Sequence, residues 1–185
     1  MLPLPIIITC VLCVLLQFEP FRSFMVWSES DIKSGDYWRI ITGNFTHTNT
    51  IHLIMNLIGL VVIQFIFQPP TRTLSLLLIG LSTAVGLANL MTDMVYYSGL
   101  SGVLHGLFIY CALMEALNKR KSSWLLVTGI ILKVGWENTL GSTESTAQLI
   151  GARVAVEAHL FGLLSGLFIA LFFFYSNSSL KKVDH

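Results

Sequence analysis

Charge is scarce in this sequence. Only 11% of its 185 residues are Asp, Glu, Lys or Arg, where soluble domains carry roughly 25%. So few charges argue against a water-facing surface of ordinary size. The net charge of +1 lacks the basic footprint of a nucleic-acid binder. Cysteine is scarce too: Cys10, Cys13 and Cys111 are odd in number and lie in apolar stretches, which argues against a disulfide framework. The C-x-x-C of Cys10 and Cys13 falls in mid-helix and reads as two small apolar side chains. No segment repeats, so a two-fold repeat transporter is not favoured. The H-E-x-x-H pattern is absent and no carboxylate lies near His47 or His52. Histidines on several helices can ligate haem or a metal ion, but this is the weaker reading; no metal and no cofactor are expected.

Apolar residues are what the chain has. They make up 54% of it, at a mean hydropathy of +0.74. A domain this small cannot bury that much apolar surface in itself, so the bilayer must cover it. Charge-free windows mark six spans at about 3–18, 51–67, 73–91, 101–117, 122–136 and 154–175, each long enough, or nearly so, for a core ~30 Å thick. The first lacks a basic start and a small-residue cleavage site, and so reads as a retained anchor. Residues 19–46 form a long loop that mixes charges with Phe21, Phe24, Trp27, Tyr37 and Trp38, a composition suited to the membrane interface. The fifth span is short, and its Lys133 can snorkel outward. Residues 137–151 read as a polar loop. The expected fold is an all-α membrane protein, a six-transmembrane-helix bundle in one domain over residues 1–185. Basic residues are nearly balanced across the membrane, and the compact Lys119-Arg120-Lys121 turn decides: it places both termini, with Lys181, Lys182 and His185 in the tail, in the cytoplasm.

Polar residues in the spans are few and ordered. The second, fourth and sixth spans run in the same direction, so their first turns share one depth. His47, His52 and Asn56 stand at the start of the second, Ser101 and His105 at the start of the fourth, and His159 near the start of the sixth. Ionisable groups inside a membrane are costly and by default mark function. Gly102 and Gly106 flank Ser101 and His105, while His159 shares a helical face with Gly162 and Gly166. Such small-residue stripes let helices approach closely. The fourth and sixth spans therefore pair, with Ser101 and His159 within hydrogen-bond reach, as nucleophilic catalysis requires. A serine is a poor nucleophile until a base takes its proton, and a histidine suits that task near neutral pH. Asn56, His52 and the Ser101 backbone N–H are candidate donors to an oxyanion. No carboxylate completes a triad by spacing, and Glu157 points elsewhere on its helix, so the reading is a Ser–His dyad. The plainer reading is an N-cap or packing serine with histidines that bond across to neighbouring helices.

These residues resemble the rhomboid intramembrane serine proteases over essentially the whole chain. Trp38-Arg39 is similar to the family's first-loop W-R. His47, His52 and Asn56 match H-x4-H-x3-N, Gly99-Leu100-Ser101-Gly102 matches G-x-S-G, and Ala158-His159-Leu160-Phe161-Gly162 with Gly166 matches A-H-x-x-G-x-x-x-G. The resemblance implies Ser101 as nucleophile, His159 as base, and His52, Asn56 and the Ser101 backbone as the oxyanion hole. It gives His47 a structural role and makes the fifth span and the 137–151 loop a gate and cap. His105 departs from the pattern, since that position is commonly an aromatic that packs on the catalytic histidine. The run from Ser101 to Gly106 is more similar to the rhombosortase branch. That implies exported substrates with a C-terminal Gly-Gly motif, a transmembrane helix and a basic tail, in a bacterial inner membrane with the active site opening to the periplasm. A general rhomboid protease with other substrates, or an inactive rhomboid-like helix-binding protein, are the alternatives.

Overall fold

The computed structural model describes residues 2–118 and 120–183, with 177–183 through their backbone alone. Lys119, His185 and the side chains of Lys181 and Lys182 lie outside the described residues. In chain order the elements are α1 (Leu4–Leu15), α2 (Phe21–Met25), β1 (Trp27–Ser28), α3 (Glu29–Lys33), α4 (Arg39–Thr42), a 3-10 turn (Gly43–Phe45), α5 (Thr50–Phe67), α6 (Thr71–Ala88), a second 3-10 turn (Asn89–Met91), β2 (Tyr96–Tyr97), α7 (Ser101–Leu117), α8 (Ser123–Leu140), α9 (Glu144–Ile150) and α10 (Val156–Val183).

Helix α7 is the axis of the fold. It touches α5, α6, α8 and α10, and residues on all its faces are buried, among them Val103, Leu107, Ile109 and Ala112. A helix that is apolar all round belongs inside a bundle. Among the described residues three helices are long and apolar enough to cross a membrane: Thr50–Phe67, Thr71–Met91 and Val156–Ser176. Leu4–Leu15 and Ser101–Leu117 are apolar but shorter.

Several boundaries differ from those the apolar windows give. The first window, 3–18, holds a helix only over Leu4–Leu15. The expected loop at 19–46 contains short helices, not open chain. The fifth segment does not stop at 136: α8 continues through Glu137 to Leu140 and ends at Gly141, whose φ of 84° breaks the helix. The expected loop after it contains α9. A charge ends an apolar window, but it does not end a helix; a glycine at positive φ does. The all-α expectation also overlooks a two-residue antiparallel ribbon, in which Trp27 pairs with Tyr97 and Ser28 with Tyr96. The ribbon joins the first connecting segment to the strand just before Ser101.

Trp38 and Arg39 hold that first segment together. Arg39 is 6% exposed. Its Nη1 donates to the carbonyls of Ser23 and Val26 at 3.0 and 2.8 Å, and it pairs with Asp36 and Asp31 at 3.1 and 3.3 Å. Trp38 Nε1 donates to Phe24 O at 3.2 Å. Hydrogen bonds to a charged group are worth about 1.5–3 kcal/mol, and removing the buried guanidinium leaves the Ser23 and Val26 carbonyls without it. Arg39→Ala is therefore expected to lower the thermal midpoint in detergent by several degrees, and an unchanged midpoint would show that the clasp does not hold the segment.

Candidate functional site

The site begins at the start of α7. Gly99 adopts a φ of +123°, a conformation that favours glycine. A Cβ there would also lie 2.7 Å from the Cε1 and Nε2 atoms of His52. The turn therefore admits the His52 ring against the chain that leads into Ser101. Tyr97 Oη donates to Gly99 O at 2.6 Å and braces the turn.

Helix α10 reaches Ser101 because glycines let it. The ideal Cβ of Gly162 would fall on the Gly102 carbonyl, and that of Gly166 on the Gly106 carbonyl. Backbone lies against backbone at this crossing. His159, three residues before Gly162, is carried to the start of α7, where its Nε2 lies 2.9 Å from Ser101 Oγ. The ring is 5% exposed.

The other face of His159 meets residues that sequence spacing does not single out. Its Nδ1 lies 2.9 Å from Glu137 Oε2, so a carboxylate does stand beside the histidine of the expected dyad. Glu137 Oε1 accepts from Lys133 Nζ at 2.7 Å. Lys133 does not simply snorkel outward: the same Nζ donates to His105 Nε2 at 3.0 Å. His105 Nδ1 in turn donates to Ser101 O at 2.7 Å. The His105 ring stacks on His159 at 4.1 Å between centroids and 18° between planes. Glu157 bonds Arg153 at 2.6 Å.

The remaining sequence candidates fall into two groups. His52 lines a cavity of about 250 Å³ with Ser101, Ser98, Tyr96 and Ile150. Asn56 does not line it; its Nδ2 donates to His52 O at 3.0 Å. His47 is buried and stands edge-on to His52, with centroids 5.1 Å apart. Burial, with His52 close by, lowers the His47 pKa to about 3, which keeps its ring neutral. Trp38 and Arg39 lie outside the cavity lining.

One contact bears on His52 directly. Thr48 Oγ1 lies 2.6 Å from Ile150 O and 3.0 Å from His52 Nδ1. A hydroxyl has one proton. Given to the carbonyl, it leaves Thr48 accepting from His52 Nδ1–H, and a neutral His52 then presents a bare Nε2. With α9 seated, this contact favours the His52 tautomer that carries its proton on Nδ1.

His105, Glu137 and His159 offer ligand atoms within 4.8 Å of one another, close enough to hold a metal ion. The Lys133 ammonium already bonds His105 Nε2 and Glu137 Oε1, and so supplies the positive charge a metal would bring. The donor set is a poor fit for a metal while that lysine is seated.

Comparison with known proteins decides the family. The rhomboid domain model matches residues 34–176. The chain belongs to the rhomboid family. Membership, together with the apolar helices, makes it a multi-pass membrane protein. It is similar to the rhomboid protease GlpG of Pectobacterium atrosepticum, 23% identical over 177 residues, which cover 94% of this chain and 62% of that protein. The chain thus spans about three fifths of the length of this curated rhomboid relative.

Proposed function

We infer that this rhomboid-family chain is an intramembrane serine protease in which Ser101 is the nucleophile and His159 the general base. The observation that carries the reading is the 2.9 Å hydrogen bond between Ser101 Oγ and His159 Nε2, beside a cavity of about 250 Å³ that Ser101 lines. Ser101 Oγ attacks the scissile carbonyl as His159 Nε2 takes its proton. The imidazolium then protonates the departing amine, and water releases the acyl group by the same steps in reverse order. Ser101 opens α7, so its backbone N–H has no partner within the helix and points where an oxyanion forms. Asn56 and His52 are the other proposed donors; His52 donates from Nε2 once the Ile150 carbonyl leaves Thr48 and that hydroxyl can donate to His52 Nδ1. His47 keeps His52 in place, and Gly99, Gly102 and Gly162 set the close approaches on which the pair depends.

In this reading α1, α5, α6, α7, α8 and α10 are the six spans of a single domain. Both termini are cytoplasmic, and the cavity opens to the periplasmic side of a bacterial inner membrane. Helix α7 has 17 residues, about 25 Å of length, against a hydrocarbon core ~30 Å thick. That shortfall favours a serine recessed below the membrane surface. His105 in the place of an aromatic, stacked on His159, supports the rhombosortase branch and substrates with a C-terminal Gly-Gly motif, a transmembrane helix and a basic tail. A scissile bond in a helix must be unwound, and glycine lowers that cost by about 1 kcal/mol per residue.

The test is co-expression with two membrane reporters, one with Gly-Gly before its transmembrane helix and an Arg-rich tail, the other with those glycines replaced by leucine. Cleavage of the first alone, absent in Ser101→Ala, is expected. Equal cleavage of both removes the glycine specificity and the rhombosortase assignment. Cleavage that persists in Ser101→Ala removes Ser101 as nucleophile.

A further inference from the structure

We propose that Glu137 is a positioning residue that fixes the proton of His159 on Nδ1, and that Lys133, shared between Glu137 and His105, fixes Glu137 in that role. The proposal rests on the reading of Ser101 and His159 as nucleophile and base, and it adds a third and a fourth residue to that pair.

The argument is one of counting protons. An ammonium donates three hydrogens and accepts none. His105 Nε2, 3.0 Å from Lys133 Nζ, must therefore be the acceptor, and its ring proton sits on Nδ1. That nitrogen faces the Ser101 carbonyl at 2.7 Å, which can only accept, so the assignment closes. Glu137 Oε1 accepts from the same ammonium at 2.7 Å. A carboxylate so paired stays ionised, and its second oxygen can only accept from His159 Nδ1, 2.9 Å away. His159 then carries its proton on Nδ1, and Nε2 is bare toward Ser101 Oγ. The hydroxyl proton has one place to go. When it transfers to Nε2, the imidazolium lies between the Ser101 alkoxide and the Glu137 carboxylate; Glu137 takes up no proton and stabilises the ring by its charge.

Burial supports this use of the two charges. The Glu137 side chain is 16% exposed and faces His159, whereas Lys133 is 49% exposed. Lys133 and Glu137 stand four apart on α8, so they share a face, and α8 packs against both α7 and α10. Among the described residues, the other groups near His159 are His105 and Ser101 on α7, His52 on α5 and Glu157 on its own helix; Glu157 is held by Arg153.

The test exploits the amide. In Glu137→Gln the carbonyl oxygen turns to the Lys133 ammonium, and the NH2 faces His159 Nδ1. His159 must then carry its proton on Nε2, where it cannot take one from serine. Purified full-length protein in liposomes is expected to lose about 10³- to 10⁴-fold in kcat with KM nearly unchanged, as when the triad carboxylate of a serine protease becomes an amide. Glu137→Ala, which leaves the ring free to choose its tautomer, is expected to lose less than Glu137→Gln. Adding Lys133→Met to Glu137→Gln frees the amide to turn its oxygen toward His159, and at least tenfold of the lost kcat is expected to return. A merely structural Glu137 gives no such rescue, and a variant that fails to fold is not mended by removing a lysine. Glutamine as active as wild type, or no rescue by Lys133→Met, overturns the proposal. A wild type that neither cleaves the reporters nor reacts with a serine-directed phosphonate at Ser101 fails the protease reading itself, a separate outcome.

Discussion

His159→Ala is expected to lower kcat by about 10⁴-fold or more, with KM changed little, because loss of one member of a serine–base pair costs nearly as much as loss of both. The size follows from chemistry. A serine hydroxyl is almost wholly protonated at neutral pH, and among the described residues the only nitrogen seated on Ser101 Oγ is His159 Nε2 at 2.9 Å. The neighbouring imidazole of His105 cannot replace it, since its Nε2 is engaged by Lys133 and its Nδ1 by Ser101 O. What survives is catalysis by the oxyanion donors and by substrate positioning alone. The check is a reporter assay on protein whose thermal midpoint is unchanged, with Ser101→Ala and the double variant alongside. The three are expected to be nearly equal in rate. A His159→Ala protein that retains a tenth of wild-type turnover would assign the base elsewhere.

Gly162→Ala is expected to lower activity by about 10²-fold, with a stability loss of about 1–3 kcal/mol from overpacking. The added methyl would fall on the carbonyl of Gly102, a backbone atom with no rotamer to escape into. The helices α7 and α10 must move apart, and Ser101 Oγ and His159 Nε2 move with them. A displacement of 1 Å turns a 2.9 Å hydrogen bond into none. Gly80→Ala and Gly129→Ala are the controls. A Cβ at either meets nothing within 4 Å, and alanine favours a helix by up to about 1 kcal/mol over glycine, so both are expected to be neutral or slightly stabilising. Equal losses in all three would mean that helix flexibility, not the crossing, is being measured.

Much of the site's placement is legible in the residues. Glycines at helical spacing around Ser101 and His159 announce a close crossing, and small residues are the only ones that permit it. Glu137 is harder to see. It ends an apolar window, and window counting then assigns it to a loop, although the helix runs three residues further, to Leu140. The available signal is Lys133 and Glu137 four apart in an otherwise apolar stretch, a pairing that charged residues need when they enter a membrane. Thr48 carries no signal at all, because its role depends on a carbonyl about a hundred residues away. The Trp27–Tyr97 ribbon is lost for the same reason: two residues are too few for a period, and the pairing is long-range.

The seat of α9 has a consequence for the population of molecules able to react. Thr48 donates to Ile150 O and Asn49 to Leu149 O, while the Ile150 side chain is buried. At about 1 kcal/mol for each hydrogen bond and about 2 for the isoleucine, lifting the segment costs about 4 kcal/mol. That leaves on the order of one molecule in a thousand open at any instant. A peptide that enters only the open form binds more weakly by the same factor. The penalty shrinks for a peptide that brings its own N–H donors to the carbonyls of Leu149 and Ile150. An unwound, glycine-containing segment has such donors free, and a regular helix does not.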